Sequence, residues 1–287
     1  MKKIILLTLA AFTITFVSFK SDPVAFKIFD KNGKEVEWST VIKKCTSTEV
    51  VFFGELHNNP IAHWLQLKLT KSLFDENKNL VLGAEMFEAD QQVIMNEYLS
   101  KAITEKNFDA EMRLWPNYRT DYKPLVDFAM ENKLPFIATN IPRRYASMVS
   151  KKGKDELLNI STDSKKFLCP LPLEVDTNLK GYQEIIKMNM GHGSNINMVN
   201  AQASKDATMA HFINTNLKAK GIFLHFNGAY HSDNFEGILY YLKKYKKDVT
   251  ISTLSTVMQK DPSKLEKENE GKADFIIVVD EEMTTTH

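Results

Sequence analysis

The chain has 287 residues, 43% of them hydrophobic and 25% charged, which is enough for one large core or two modest ones and excludes collagen-like and wholly disordered classes. The formal net charge is +1, and lysines alternate with acidic residues along most of the chain. No basic stripe is left to neutralise phosphates, so nucleic acid is not an expected partner.

Lys2 and Lys3 precede an apolar run over residues 4–19, and polar residues follow from Lys20. This pattern reads as a signal peptide over 1–21. Thr8, Thr13, Thr15 and Ser18 dilute the run, which is short for a membrane span. The expectation is export to the periplasm or cell surface, without a lipobox cysteine. Export would allow a bridge between Cys45 and Cys169; two separate buried thiols are the alternative.

Residues 25–283 then read as one α/β domain. Ala25 to Phe29 alternate and close on Asp30-Lys31-Asn32-Gly33, which predicts a strand and a small hairpin. Continuous apolar runs follow at Val50 to Phe53, Leu80 to Leu82, Pro135 to Ala138, Gly221 to Leu224, Val249 to Leu254 and Phe275 to Val279. Amphipathic stretches separate several of them. From Pro60 to Phe74, Ile61, Leu65, Leu69 and Leu73 recur at helical spacing, with Asn59 as N-cap and Pro60 at the first helical position. Further helices are predicted over Leu125 to Glu131 and Ala201 to Leu217. The expected architecture is a mostly parallel sheet with helices on both faces. Stretches 97–122 and 149–200 fit the alternation less well and read as helical insertions over the carboxyl edge of the strands. Residues 260–272 read as a charged surface connection.

Ligands of open parallel sheets bind at the carboxyl ends of the strands, and here those ends are polar. The first delivers Gly54-Glu55-Leu56-His57, the second Glu85, the third Asn140 and Arg143, and the fourth Asn227 and Gly228-Ala229-Tyr230-His231. Glu55, His57, Glu85 and His231 are candidate ligands for a divalent transition metal, since imidazole and carboxylate are its common donors. The same four residues with Arg143 are a candidate catalytic set: a glutamate as general base, and Arg143 polarising a carbonyl or holding an anion. A metal-free esterase with a histidine activating water is a variant. The alternative is that these side chains cap helices and bond backbone amides. Gln202 and Asp206 lie four apart on a predicted helix and are expected, with Asn140 and Asn227, to orient a ligating histidine. His225, inside an apolar run, reads as a core histidine.

Taken together, GELHNNPIAHWLQL, LGAEMFEADQQ, NYRTDYKPLVDFA, FIATNIPRRYA, AQASKDATMAHFI and FNGAYHSDNFEGI resemble the ChaN family, part of a superfamily with Tiki and TraB-type proteases and erythromycin esterases. The resemblance covers residues 25–283. It implies an exported haem-binding protein of iron uptake, with a tyrosine on ferric iron, two haems stacked in a homodimer and an outer-membrane haem receptor as a partner. Within the second insertion, Tyr182 is the first candidate for the iron ligand and His192 the second, with Met188 and Met190 to cover a porphyrin face. The competing function is a metal-dependent hydrolase of protease or esterase type built on the two GxxH motifs.

Overall fold

The computed structural model describes residues 24–188 and 195–287, and the apolar runs of the sequence are its strands. These are β1 (Phe26–Asp30), β2 (Val50–Glu55), β3 (Leu80–Glu88), β4 (Phe136–Asn140), β5 (Ile222–Gly228), β6 (Ile251–Gln259) and β7 (Phe275–Asp280). They form one sheet in the order β1-β7-β6-β2-β5-β3-β4. Every neighbouring pair is parallel except β1 with β7.

The central strands are buried at nearly every position because both faces of the sheet are covered. In β2, Val51 and Phe53 enter one core while Val50 and Phe52 enter the other. The first core is closed by α1 (Trp38–Cys45), α2 (Pro60–Glu76), α3 (Gln92–Leu99), α4 (Glu105–Glu111) and α5 (Lys123–Asn132). Against the opposite face pack α6 (Arg143–Lys152), α8 (Lys180–Met188), α9 (Asn195–Thr215) and α10 (Ile238–Tyr245), which supply buried side chains to the second core, while the short α7 (Thr162–Lys165), between α6 and α8 in the chain, has no buried residue. The α2 helix starts where the sequence places it: Asn59 Oδ1 accepts from the Ala62 amide at 3.0 Å, and Pro60 sits in the first turn.

The strand and small hairpin expected at the N-terminal side of the domain are present, and the strand has a second, distant partner. Phe29 bridges Glu35 across the turn, with the Asp30 amide donating to the Lys34 carbonyl at 2.8 Å and the Val36 amide to the Ile28 carbonyl at 2.9 Å, while the other edge of β1 pairs antiparallel with β7 over five residues, from Phe26 opposite Val279 to Asp30 opposite Phe275. An isolated two-stranded hairpin is marginal in water, whereas the edge of β7 offers a ladder already anchored in the core.

The two insertions have different positions. Within 97–122, α4 and a π-helical turn at Tyr118–Tyr122 lie on the first core, and the connection between them brings Trp115 to the carboxyl edge of the sheet. Within 149–200, a 3₁₀ turn at Lys154–Asn159, α7 and α8 lead into α9, and Leu157, Leu168 and Tyr182 are buried in the second core. Met190 and His192 lie outside the described residues. Cys45 and Cys169 are free buried thiols, one in each core, so the sheet separates them. Among the described residues no helix is long and apolar enough to cross a membrane.

Candidate functional site

Because β2, β3, β4 and β5 are parallel, their carboxyl ends share one edge, and the two GxxH motifs meet there. Glycine is required in both for the same reason, close approach. A Cβ on Gly54 would stand 2.9 Å from the Ala229 Cα, and one on Gly228 would stand 2.7 Å from His57 Nε2. Each motif's glycine therefore makes room for the other motif.

Glu55 ends β2 and is 1% exposed. Its Oε1 accepts from the Tyr122 hydroxyl at 2.7 Å and lies 2.8 Å from His57 Nδ1; its Oε2 accepts from the Gln66 amide of α2. His63, also on α2, stands 3.1 Å from Gln66 Oε1 and 3.2 Å from Asp121 Oδ2, so a buried polar layer backs the carboxylate. The His57 ring is turned by Glu55, rests edge-on against Trp115 at 4.8 Å between centroids, and is 39% exposed toward the cavity. Burial works against its charged form, but the Glu55 hydrogen bond and the Glu85 and Glu55 charges outweigh that and raise its pKa.

The second motif is closed in. His231 Nε2 lies 3.1 Å from Glu85 Oε1 and Nδ1 lies 2.5 Å from Asp206 Oδ1, with the ring 6% exposed. Glu85 Oε2 accepts from the Gly228 amide at 2.8 Å, and Asp206 Oδ2 accepts from the Tyr182 hydroxyl at 2.7 Å. The Gln202 amide is 3.0 Å from Nδ1. Burial opposes the imidazolium, but the Glu85 and Asp206 charges outweigh it and push His231 up to about 10. The reciprocal effect, with His57 and the Gly228 amide adding to it, holds Glu85 well below the usual carboxylate range against the opposing cost of burial. At neutral pH this is a carboxylate–imidazolium–carboxylate row.

Glu55, His57, Glu85, Gln202, Gly228 and His231 form the floor of a cavity of about 930 Å³, within the size range of ligand pockets. Its walls carry Met86, Trp115, Ile141 and Met198, and Tyr230 at the mouth is 40% exposed, its hydroxyl donating to the Gly181 carbonyl. Arg143 from α6 and Lys205 from α9 line the same cavity and form no ion pair with the described residues. Asn140 donates to the Glu85 carbonyl at 2.9 Å, and its buried Oδ1 has no partner among the described residues.

Glu55, His57, Glu85 and His231 thus come together, with Arg143 at the rim and Gln202 and Asp206 on His231. Asn140 steadies the Glu85 backbone. Other assignments are corrected. Asn227 points into the interior, where Oδ1 is 3.0 Å from His225 Nδ1 and Nδ2 donates to Ser232 Oγ and the Gly228 carbonyl; it holds the strand-end turn rather than a histidine of the floor. His225 is the satisfied core histidine the sequence suggests, depressed to about 4 by burial. Tyr182 is 2% exposed and committed to Asp206, so its phenol lies behind the floor and not on a ligand surface; burial and the neighbouring Asp206 carboxylate push its pKa far up. Met188 is 76% exposed and does not line the cavity.

The geometry lends the metal expectation no support. Among the described residues no three His, Cys, Asp or Glu side chains gather as a metal site. Both nitrogens of His231, both oxygens of Glu85 and both oxygens of Glu55 already face protein partners, so a cation would have to break ion pairs to find donors. The sequence patterns assign no role to Tyr122, Gln66, His63 and Asp121, nor to Trp115, Lys205 and Tyr230; a helix carrying His63 and Gln66 three apart just after the first GxxH is the available signal.

A family model described as haem-binding uptake, Tiki superfamily, ChaN, matches residues 41–242. ChaN of Campylobacter jejuni, solved with cofacially bound haem, superimposes with a TM-score of 0.69 at 16% identity, covering 88% of this chain and 96% of that one. A Bacillus cereus protein superimposes with a TM-score of 0.50 at 11% identity, covering 84% and 90%. No curated protein matches the sequence.

Proposed function

The chain belongs to the ChaN family of haem-binding uptake proteins, and we propose that it binds haem in the 930 Å³ cavity as an exported component of iron uptake. The family match over residues 41–242 is the observation that carries this reading. The residues present suit the ligand. Trp115 and Met198, both partly exposed, offer apolar and polarisable surface to a porphyrin face. Arg143 and Lys205, cations without ion-pair partners among the described residues, suit two propionates. Tyr230 is the tyrosine at the mouth, and it replaces the buried Tyr182 as the phenol to test on the iron. Its pKa is pushed up to about 12 by burial and by Glu184, Asp206 and Glu236, so a phenolate there depends on the iron to displace its proton. The leader over 1–21 supports export. Stacking of two haems in a homodimer and delivery by an outer-membrane receptor complete the proposal.

Titrating the protein with haemin tests it: a saturable Soret shift is expected, weakened about ten-fold in Lys205→Glu and changed in position in Tyr230→Phe, as loss of a charge-assisted contact and of an iron ligand respectively predict. Absence of saturable binding at micromolar haemin would end the reading. Gel filtration with and without haemin checks the dimer.

A second reading rests on the Glu55–His57 pair, a buried carboxylate orienting an imidazole that opens on a cavity. Such a pair suits a general base toward water, without a metal. Hydrolysis of an ester or peptide panel that survives chelator and is lost in His57→Ala would support it; an inactive panel would dismiss it.

A further inference from the structure

Residues 281–287 follow β7 and lie beyond the stretch matched by the family model. They are mostly polar and exposed, a composition that leaves a segment loose unless something ties it down. Three features tie it. Met283 packs against the first core cluster. The Thr286 amide donates to the Asn58 carbonyl at 3.0 Å, one residue after the first GxxH motif. The Thr286 hydroxyl donates to Asp121 Oδ2 at 2.7 Å.

Asp121 is no surface carboxylate. It is 3% exposed, accepts from Asn117 Nδ2 at 2.6 Å, and faces His63 Nε2 at 3.2 Å. His63 in turn stands 3.6 Å from Glu55 Oε2, and Glu55 orients His57. Asn117 also donates to the His57 carbonyl at 2.7 Å. A hydroxyl from a segment beyond the last strand therefore enters the polar layer behind His57, and the residue after it, His287, is brought to the wall of the same cavity that His57 and Trp115 line.

We propose that residues 283–287 are a built part of the ligand site, with His287 contacting the bound ligand and Thr286 acting as a positioning residue for His57 through Asp121 and His63. The ligand half of this rests on the haem reading above. An imidazole at the cavity wall offers a porphyrin complex either a nitrogen donor for ferric iron or an N–H for a propionate, and both contacts depend on the Thr286 anchor. The segment acts as a strap that closes one side of the cavity.

The test uses the mature chain tagged ahead of Ala25, so that residues 283–287 stay as they are. His287→Ala is expected to weaken haemin binding about five-fold, the worth of one polar contact, and removal of 284–287 to weaken it further. Thr286→Val should behave like the truncation, and Thr286→Ser should restore binding. An unchanged dissociation constant and an unchanged Soret spectrum in the truncated chain would overturn the ligand half. The positioning half has its own readout: the pH profile of His57 modification by diethyl pyrocarbonate, located by mass spectrometry, is expected to move in Thr286→Val and return in Thr286→Ser. An unmoved profile would overturn it. If the unaltered chain takes up no haemin, the haem reading and the ligand half fail together, while the His57 profile still decides the strap. Circular dichroism of each variant separates these results from loss of the fold.

Discussion

The two halves of the cavity floor begin from the same sequence pattern and end in opposite states. His231 is held between Glu85 and Asp206, with both ring nitrogens committed and 6% of its side chain exposed. His57 has one carboxylate behind it, a second nitrogen lying against the Gly228 backbone and 39% exposure to the cavity. The number of partners separates them. A ring with two buried carboxylates is a fixed charge that sets the electrostatics of the floor; a ring with one is oriented and still available. The GxxH pattern therefore marks a place in the sheet, and the second carboxylate decides what the histidine there can do.

Breaking the closed half should have the largest effect. His231→Ala leaves Glu85 and Asp206 buried beside each other without their cation, and removing one member of a buried pair typically costs about 3–5 kcal/mol. Urea unfolding should show a loss of that size; a loss below about 1 kcal/mol would mean the row is not charged as described. The same row fixes a pH window. His231 has a folded pKa of about 10, above its unfolded value of roughly 6.5. Its contribution to stability is then fully present below about 6.5, declines above it, and is gone beyond about 10. Glu85, depressed in the folded state, contributes above its unfolded value of roughly 4.3 and is lost as pH falls. Thermal unfolding should show stability falling between pH 7 and 10, and His231→Gln should flatten that slope.

A smaller effect is expected where the halves touch. Gly228→Ala would place a methyl against His57 Nε2, while the neighbouring backbone stays in a conformation alanine can adopt. The ring can swing toward the cavity, so a cost of about 1–3 kcal/mol is expected, the usual range for overpacking, together with altered haemin binding. A stable variant with unaltered binding would separate the two motifs functionally.

Much of this architecture is legible in the sequence. The runs at Val50, Leu80, Phe136 and Ile222 announce buried parallel strands, and the polar residues just after them announce the shared edge. Asp206 and Gln202 can be placed because helical spacing puts them on one face. What the sequence hides are contacts whose sense depends on packing depth. Tyr182 looks like a ligand in a Met-rich stretch, yet α8 turns it into the second core toward Asp206. Glu85 and His231 look like metal donors until each is seen to satisfy the other. The pairing of β1 with β7 spans almost the whole domain, and no local pattern encodes a partner that distant.

The open half should yield the smallest change in stability and the sharpest change in function. His57→Gln keeps a polar side chain beside Glu55, which Tyr122 and Gln66 still satisfy, and removes a partly exposed imidazole, so the loss should be no more than that of one hydrogen bond, about 0.5–1.5 kcal/mol. Its unfolding midpoint should stay close to that of the unaltered chain while its haemin spectrum or affinity shifts, because the lost ring faces the cavity and packs on Trp115. The inverse outcome, a large destabilisation with unchanged binding, would show that His57 belongs to the fixed half of the floor. The Glu55 layer with Tyr122, Gln66 and His63 would then be a structural core like the His231 row, and the contrast between the two motifs would disappear.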